Sequence, residues 1–368
     1  MIRVLQIVPT LGFGGVAQFL LNYYKKIDNK LIVFDFVTHG QKENFHDELL
    51  AKGSNIYYIQ SIGSCGLIRY IKQLHRIIES EHYHIIHIHT GHLTGFTAML
   101  CRIFYKGKIF CHAHTTKCVN PKHEKLMPLF RAMARWFGDK QLGCGVKACE
   151  YCFGVNSSYE VIHNAISLNK FWNIDERKLE TLRYELKLTA ENFVLGHVGA
   201  FVKPKNHHFI IDIFDYIYTK HKNARLVLVG DGPLRNEIED KCRMLHLEDC
   251  VHFVGIQNDI PNYLHLFDAF ILPSFNEGLP VCVVEAQAVV KNVCISDTVD
   301  KDVDAGIGNL SFLPIKKESL DLWEKELFKC KKELDKNLVE LQYKKIGYEI
   351  SSSVKALQKL YLESYSRL

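Results

Sequence analysis

Two glutamates separated by seven residues are the side chains of this sequence best suited to chemistry. Glu277 and Glu285 lie in the stretch Leu272-Pro-Ser-Phe-Asn-Glu-Gly-Leu-Pro-Val-Cys-Val-Val-Glu-Ala-Gln287, among mostly apolar neighbours. Burying a carboxylate without a partner is costly, so we expect both to accept hydrogen bonds from a ligand rich in hydroxyl groups. The spacing alone leaves open the alternative that both are solvated glutamates on an ordinary helix.

A strand followed by a helix is predicted to position this pair. The helix is expected to begin near Pro280, because proline is well suited to a first helical position. Glu277 then lies just ahead of the helix, and Glu285 lies about one and a half turns inside it. The backbone amides of Gly278 and Leu279 would face an anion at the helix N-terminus.

The stretch resembles the signature of a known enzyme family. Ser-Phe-Asn-Glu-Gly-Leu-Pro, followed by Glu-Ala, is similar to the motif of the family 4 retaining glycosyltransferases, which have the GT-B fold and use nucleotide-sugar donors. The likeness is nearest to bacterial enzymes of capsular polysaccharide and exopolysaccharide synthesis. It implies that Glu277 binds hydroxyl groups of the donor sugar and that Glu285 binds the ribose of the nucleotide. The resemblance is strongest over 193–298 and weaker across the acceptor-side loops.

The composition is that of a globular protein large enough for two domains. The chain has 368 residues, of which 47% are hydrophobic and 24% are charged. Its net charge of +5 fits anionic ligands or an anionic membrane surface and is too small to indicate nucleic acid. No apolar run reaches the roughly 18 residues that span a bilayer, and the N-terminus resembles a strand rather than a signal peptide. We therefore expect a cytoplasmic protein, with peripheral membrane contact left open.

Apolar strand patterns alternate with helical patterns along the chain, which predicts parallel sheets built from βαβ units. Strands are predicted near 2–8, 31–37, 55–59, 84–89, 108–113, 141–144, 160–163, 193–199, 225–230, 251–254, 268–272 and 292–296. The resemblance implies an α/β protein of the GT-B class, with two Rossmann-like parallel-sheet domains facing a cleft and a C-terminal helix that crosses back to the first domain. The predicted parts are an acceptor-side domain at 1–168, a linker at 169–190, a nucleotide-sugar-binding domain at 191–345 and the returning helix at 346–368.

Glycines and a lysine at predicted strand ends are candidates for binding a diphosphate. Gly14 and Gly15 open a helix after the first strand, where a missing side chain lets the backbone approach an anion. The first strand of the second domain leads into Gly196-His-Val-Gly-Ala-Phe-Val-Lys-Pro-Lys-Asn206. The resemblance implies that Gly199 lies at the donor and that Lys205 helps to neutralise the diphosphate as the sugar leaves, which is stabilisation where charge develops.

One position departs from the pattern of the family. The family usually carries an arginine together with this lysine, and Ala200 stands in its place. Lys203 is the candidate replacement, although an ammonium group does not reproduce a bidentate guanidinium. Loss of one such group costs roughly 10²–10³ in rate. An active but slow enzyme, a compensated enzyme and a non-catalytic relative all stay open.

The resemblance assigns four further residues to the donor site. Gly230 lies in a strand–turn segment that lines the nucleotide pocket, and Gly255 and Ile256 offer backbone groups to the base. His114 is the strand-end histidine that contacts the donor sugar and shapes the reaction centre, and alternation places His112 on the same face of the strand. Without the resemblance, these segments would be ordinary strand ends, and a histidine there is more often structural.

Two groups of metal-ligating residue types are interpreted as structural. Cys144, Cys149 and Cys152 have a spacing found in iron–sulfur proteins, but buried thiols on a strand and helix are favoured over a cluster. Histidines alternate along the predicted strand at 84–89, where a metal would also need a carboxylate or thiolate. Structural or cleft-lining roles are favoured for them, with His89 nearest the expected active site. No metal and no other cofactor is therefore expected.

The segment 117–140 carries lysines and arginines interleaved with large apolar residues. A basic amphipathic helix suits an anionic membrane surface, and a core-packed helix with a solvated basic face fits the pattern equally well. Membrane contact would suit acceptors carried on a lipid pyrophosphate.

Together these features predict a metal-independent, retaining glycosyltransferase. It is expected to move a sugar from a nucleotide-diphosphate donor, with a UDP-sugar favoured, to a capsular, exopolysaccharide or other lipid-linked glycan precursor. His114, Lys205 and Glu277 are the expected catalytic residues. Two alternatives stay open, namely a GT-B nucleotide-sugar epimerase and a non-catalytic nucleotide-sugar-binding subunit of a partner transferase, which Ala200 supports.

Overall fold

The computed structural model describes residues 1–12, 14–42, 45–118, 120–290, 292–329 and 333–366. The chain forms two compact units. The first unit comprises Met1–Ala165 and Gly347–Leu368, and the second comprises Ile166–Ile346. Each unit is built on one parallel sheet with helices between its strands.

The first unit contains a seven-stranded parallel sheet. Its strands are β1 (Ile2–Val8), β2 (Ile32–Thr38), β3 (Ile56–Tyr58), β4 (Ile85–Ile88), β5 (Lys108–Ala113), β6 (Lys140–Gly143) and β7 (Glu160–Val161). They are ordered β3-β2-β1-β4-β5-β6-β7 in the sheet. The helices between them are α1 (Gly15–Lys26), α2 (His46–Ala51), α3 (Ile62–Cys65), α4 (Leu67–Ser80), α5 (Thr94–Arg102), α6 (Pro121–Lys125), α7 (Met127–Phe137) and α8 (Val146–Phe153).

The second unit contains a six-stranded parallel sheet. Its strands are β8 (Phe193–Val198), β9 (Ala224–Val229), β10 (Val251–Gly255), β11 (Ala269–Leu272), β12 (Asn292–Ser296) and β13 (Leu310–Leu313). They are ordered β10-β9-β8-β11-β12-β13. Its helices are α9 (Leu168–Trp172), α10 (Glu176–Glu185), α11 (His207–Lys220), α12 (Arg235–Met244), α13 (Ile260–Leu266), α14 (Val281–Gln287), α15 (Leu320–Leu327) and α16 (Lys336–Ile346).

The strand order reverses once in each sheet, between β1 and β4 in the first and between β8 and β11 in the second. The central strands are buried along almost their whole length, as expected for a parallel sheet covered on both faces. Ligands of such sheets bind at the carboxyl ends of the strands beside the reversal. Both reversals therefore mark candidate sites.

The predicted α/β class is confirmed, and all twelve predicted strands are present with ends shifted by at most two residues. The thirteenth strand, β13, was missed because it is a half-buried edge strand without a continuous apolar run. The helix after β11 begins at Val281, which confirms the predicted start near Pro280. Pro280 has an extended conformation and serves as the N-cap.

The C-terminal helix α17 (Ile350–Tyr365) packs against α1 of the first unit. Its N-terminus is capped by the Glu349 carboxylate, which accepts hydrogen bonds from the backbone amides of Ser351 and Ser352. One face of the helix enters the core through Ile350, Val354, Leu357, Leu360 and Tyr361. This packing brings Tyr361 among residues of the first sheet.

Two helices of the first unit, α6 and α7, occupy most of the segment 117–140. Met127, Phe130 and Ala134 are buried, whereas Leu129 is 47% exposed and Trp136 is 76% exposed. Apolar side chains therefore lie on both the inner and the outer side of α7. The pattern satisfies the core-packing interpretation and leaves membrane contact as a prediction.

Among the described residues, no helix combines the length and apolar character needed to cross a lipid bilayer.

Candidate active site

The loops that follow β8 and β11 meet beside the reversal of strand order in the second sheet. Lys205 lies in the loop after β8, and its Nζ is 2.7 Å from Oε1 of Glu277 in the loop after β11. The two side chains are only 17% and 14% exposed. Ser274 donates a hydrogen bond of 2.8 Å to the same carboxylate oxygen. The structure thus brings together two of the three predicted catalytic residues.

The charge state of this pair follows from its surroundings. Burial by itself lowers the pKa of the Lys205 ammonium, but the neighbouring Glu277 carboxylate more than offsets this effect. The pKa of Lys205 is therefore raised above its usual value, and the ammonium group stays charged. An ammonium has three N–H donors, so Glu277 occupies one of them and the others can serve an anionic ligand.

Two hydrogen bonds join the loop after β8 to the loop after β11. Asn206 adopts a left-handed conformation with φ of 55°, which turns the chain directly after Lys205. Its buried side-chain amide donates to the carbonyl of Pro273 at 3.1 Å. The amide of Phe275 in turn donates to the carbonyl of Pro204 at 2.8 Å. These hydrogen bonds explain why Lys205 faces the loop after β11. The sequence pattern around these residues did not predict them.

Gly199 after β8, Gly230 after β9 and Gly255 at the end of β10 pack backbone against backbone. Gly230 has a φ of +136°, and a Cβ placed on it would lie 2.1 Å from the carbonyl oxygen of Gly199. The amide of Gly230 donates to the carbonyl of Gly255 at 2.8 Å. Packing alone thus requires glycine at position 230, whatever its role in nucleotide binding. The next residue of the predicted base pocket, Ile256, is 55% exposed.

Glu285 lies on α14 in a largely apolar environment. Burial raises the pKa of its carboxyl group to about 7, and the nearby Lys170 lowers it slightly. Within the described ranges, no side-chain hydrogen bond or ion pair to this carboxyl group is present. Gly278 and Leu279 lie in the turn before the helix, with Leu279 buried. Glu285 is therefore a carboxyl group close to its titration point at neutral pH.

Ala200 and Lys203 lie on the outside of the loop after β8. Both are exposed, and Lys203 begins the short turn Lys203–Lys205. The structure does not bring Lys203 into the pair formed by Lys205 and Glu277. Its predicted role as a substitute for the arginine stays a prediction.

In the first unit, Gly14 and Gly15 are exposed at the start of α1. Gly14 is extended, with φ of −172° and ψ of 159°, a conformation open to any residue. No atom lies within 4 Å of a Cβ placed on either glycine. Among the described residues, packing therefore does not require glycine here, and the predicted approach of a donor phosphate to Gly14 and Gly15 stays a prediction.

His114 ends a chain of buried hydrogen bonds at the carboxyl ends of β4 and β5. Its Nε2 is 2.9 Å from Nδ1 of His89, and Nε2 of His89 is 2.9 Å from Oε1 of Gln6. The side-chain amide of Gln6 donates to the hydroxyl of Tyr361 at 3.3 Å. That hydroxyl lies 2.6 Å from Nδ1 of His87. The other end of this chain of hydrogen bonds is His112, whose Nδ1 is 3.1 Å from Nε2 of His87.

The amide of Gln6 sets the direction of every bond in this histidine chain. Its oxygen only accepts, so His89 carries its proton on Nε2 and accepts at Nδ1 from Nε2 of His114. Tyr361 accepts from Gln6 and therefore donates to His87, which in turn donates to His112. Burial and the neighbouring imidazoles lower the pKa of His87, His89 and His112 well below the usual value. All four histidines are therefore neutral at pH 7.

This arrangement determines the tautomer of His114. Its Nε2 proton is used by His89, and its Nδ1 is buried with no hydrogen-bond partner among the described residues. Burial lowers the pKa of His114 to about 3. His114 is thus a neutral imidazole that donates to His89 through Nε2 and has an unprotonated, accepting Nδ1. Alternation along the strand did not predict this tautomer.

Cys144, Cys149 and Cys152, for which buried thiols were favoured over a metal cluster, lie on β6 and α8 or directly between them. Cys149 and Cys152 are buried free thiols, and Cys144 is also buried. Burial raises the pKa of both Cys149 and Cys152 far above the usual value, which keeps their thiols protonated. The expectation of buried thiols is therefore confirmed.

Comparison with known proteins defines the class. Residues 180–300 match the model of glycosyl transferases group 1, and residues 13–170 match that of glycosyltransferase family 4. The chain is 30% identical to EpsF of Bacillus subtilis, a protein named as a glycosyltransferase, over 98% of this chain and 96% of that protein. The chain therefore belongs to the family 4 glycosyltransferases and is a transferase enzyme. This result favours a transferase over the epimerase and the non-catalytic subunit.

Solved structures agree on the fold. A glycosyltransferase from Rickettsia africae aligns with a TM-score of 0.81 and 16% identity, covering 100% of this chain and 99% of that one. Anabaena HepE, solved in complex with UDP and glucose, aligns with a TM-score of 0.71 and 18% identity over 100% of this chain and 98% of that one. Both likenesses concern the fold, and they place the two parallel-sheet units in the GT-B class.

Proposed function

We propose that this protein is a retaining glycosyltransferase that uses a UDP-sugar to extend a lipid-linked polysaccharide precursor. The observation that carries the proposal is the ion pair between Lys205 and Glu277 beside the reversal of strand order in the second sheet. A buried ammonium suits a diphosphate, and a carboxylate suits sugar hydroxyl groups. The group suited to the diphosphate and the group suited to the sugar therefore lie within hydrogen-bond distance of each other.

The donor class is inferred from the relatives together with the site. A protein from Escherichia coli that is 25% identical over 77% of this chain and 76% of that protein is named as a UDP-Gal:alpha-D-GlcNAc-diphosphoundecaprenol alpha-1,3-galactosyltransferase. HepE was solved with UDP and glucose. Glu285, with its raised pKa, would accept hydrogen bonds from the ribose, and Gly278 would approach the donor. These points support UDP as the carrier and leave the sugar for experiment.

The chemistry proposed is displacement on one face of the sugar. The bond between the anomeric carbon and the diphosphate oxygen breaks, and the acceptor oxygen bonds to the same face of that carbon. The acceptor proton passes to the leaving diphosphate. Lys205 stabilises the charge that develops on the diphosphate, and Glu277 holds the sugar. His114, as a neutral acceptor, would take a hydrogen bond from a hydroxyl of the donor. No metal is assigned a role in this scheme.

The acceptor is proposed to be a glycan on a lipid pyrophosphate at the inner face of the membrane. Relatives of this chain include CapH of Staphylococcus aureus, which is named as a capsular polysaccharide biosynthesis glycosyltransferase and is 21% identical over 78% of this chain. In the first unit, Leu126, Leu129 and Trp136 are exposed beside Lys122 and Lys125. Exposed apolar and basic side chains in one segment suit an anionic membrane surface.

The test is nucleoside diphosphate release from a panel of UDP- and GDP-sugars, with and without a lipid-linked acceptor and without added divalent metal. Wild type is compared with Glu277→Ala and with Glu180→Ala, a control at an exposed glutamate of α10. We expect release from one UDP-sugar, lost in Glu277→Ala and kept in Glu180→Ala. Retention of the anomeric configuration would be checked by NMR of the product.

Three results would overturn the proposal. Turnover of GDP-sugars alone would reject UDP, and a product of inverted configuration would reject the retaining mechanism. Donor binding by calorimetry without turnover on any acceptor would instead support the alternative of a non-catalytic nucleotide-sugar-binding subunit. The loss of activity would then be attributed to Ala200, which stands where the family carries an arginine.

A further inference from the structure

A second cluster of metal-ligating side chains lies apart from the histidine chain. It consists of His92, Cys118 and His123, whose ligand atoms all lie within 4.8 Å of one another. Nε2 of His92 is 2.9 Å from Nδ1 of His123. Cys118 is buried, and the two histidines are half-buried. The proposed glycosyl transfer gives none of these residues a role.

The three residues come from separate pieces of the chain. His92 lies in the short turn Gly91–Leu93 after β4, Cys118 in the loop after β5, and His123 in helix α6. Because β4 and β5 are neighbours in the sheet, their carboxyl ends bring the turn and the loop together. Asn120 caps α6 by accepting a hydrogen bond from the amide of Lys122, which fixes the start of the helix that carries His123.

The donor set and its spacing match zinc. Zn²⁺ binds thiolate sulfur at about 2.3 Å and imidazole nitrogen at about 2.0–2.1 Å in tetrahedral geometry, so its ligand atoms lie roughly 3.3–3.6 Å apart. The cluster needs only small side-chain movements to reach these distances. One thiolate with two imidazoles favours Zn²⁺ over Mg²⁺, Ca²⁺ or Mn²⁺, which prefer oxygen ligands. The thiol of Cys118 donates to the carbonyl of Asn120 at 3.4 Å.

The histidine chain serves as an internal comparison. His87, His89 and His112 are also close enough to share a metal. Their nitrogens are already joined to each other, to Gln6 and to Tyr361 in one directed set of hydrogen bonds, and the described residues around them supply no thiolate. The cluster at Cys118 contains a thiol, and its half-buried histidines leave access from solvent. The two sites therefore differ in what they can bind.

We propose that His92, Cys118 and His123 bind one zinc ion, with the fourth position taken by water or another exogenous ligand. The ion ties the loop after β5 to the turn after β4 and to α6. That loop begins at His114, so the metal holds the segment that continues from the predicted reaction centre. The inference stands on these contacts and does not depend on the proposed donor or acceptor.

The test uses full-length protein without a polyhistidine tag. Zinc content is measured by elemental analysis, and affinity is measured by competition with a chromophoric chelator. We expect one zinc per chain, and Cys118→Ala and His123→Ala should each lower the affinity by more than the roughly 100-fold that loss of a supporting contact costs. Cobalt substitution should give visible bands and a thiolate-to-cobalt charge-transfer band that disappear in Cys118→Ala.

Matched controls separate this site from the other thiols and histidines. Cys65→Ser alters a half-buried cysteine of α3, and His82→Ala alters an exposed histidine, and both should keep the metal and the cobalt spectrum. Circular dichroism and thermal melting would verify that each variant folds. Protein without stoichiometric zinc that also fails to bind added zinc would overturn the proposal. Binding or a thiolate band that survives in folded Cys118→Ala would do the same.

Discussion

The ammonium of Lys205 and the carboxylate of Glu277 form an ion pair of 2.7 Å between loops that follow neighbouring parallel strands. The two residues are 72 positions apart in the sequence, and β8 and β11 bring them together. Because both side chains are mostly buried, loss of either partner leaves a charge without compensation. The pair is therefore the part of the site most sensitive to substitution.

Replacing Lys205 by methionine should lower kcat by roughly 10²–10³, because it removes the positive charge that faces the leaving diphosphate. The matched control is Lys203→Met, which alters the exposed lysine two positions earlier. We expect a loss of less than about 10-fold for that control, the change being confined to a solvated charge. The measurement is steady-state release of nucleoside diphosphate. Equal losses in the two variants would mean that Lys203 also contacts the phosphate.

Introducing arginine at Ala200 should keep or raise kcat. Ala200 is exposed at the end of β8, so a longer side chain fits without displacing core residues. A guanidinium offers a diphosphate a bidentate partner, and its gain could approach the roughly 10²–10³ that one such group contributes. Ala200→Met, which has similar bulk and no charge, serves as the control. A fall in kcat for the arginine variant with an unchanged melting temperature would show that this loop is adapted to alanine.

Two glycine substitutions should have opposite consequences. Gly15→Ala adds a methyl group where no atom lies within 4 Å, so the melting temperature should hold while donor affinity falls. Gly230→Ala places a Cβ 2.1 Å from a backbone oxygen and strains a positive φ, so it should destabilise the second unit by about 1–3 kcal/mol. Thermal melting and donor titration by calorimetry would separate the two effects. Unchanged donor affinity in Gly15→Ala would remove Gly15 from the donor site.

Replacing Glu285 by glutamine should stabilise the protein at alkaline pH. The folded pKa of about 7 lies above the usual value of about 4.5, so the neutral carboxyl is favoured on folding and this contribution is lost as pH rises through 7. At pH 8 the variant should exceed wild type by about 3 kcal/mol, and the difference should fall below about 1 kcal/mol near pH 5. Melting temperatures at the two pH values provide the measurement. The same variant should lose donor affinity if the carboxylate binds the ribose.

The histidine chain should make the first unit acid-sensitive. Its imidazoles have folded pKa values below the usual 6.5, so the stability that they confer is present above pH 6.5 and is lost as pH falls. Each histidine that charges only on unfolding adds about 1.4 kcal/mol per pH unit to this slope. Tyr361→Phe removes a central hydroxyl and should cost about 1–3 kcal/mol. Melting temperature is followed from pH 7.5 to 5.

The control for Tyr361→Phe is Tyr365→Phe, a half-exposed tyrosine on the same helix. It should melt like wild type, since its hydroxyl takes no part in the histidine chain. A flat pH profile between 6.5 and 5 for wild type would contradict the account of neutral buried histidines.

Local sequence determined most of the fold and supplied the candidate donor-site residues. Strand β11 is a continuous apolar run and β1 is mostly apolar, and the turns after them carry the glycines and charged residues that parallel sheets place at their carboxyl ends. The spacing of Glu277 and Glu285 is likewise a property of one turn and one helix. These features depend on residues near one another in the chain, which is why they could be predicted.

Tertiary structure alone decided the pairings and the chemical states. Contact between Lys205 and Glu277 requires β8 and β11 to be neighbours, and the tautomer of His114 depends, through His89, on Gln6 of β1. The raised pKa of Glu285 arises from burial, which spacing does not reveal. Desolvation and hydrogen bonding are set by neighbours in space, so they appear only once the sheets and helices have packed.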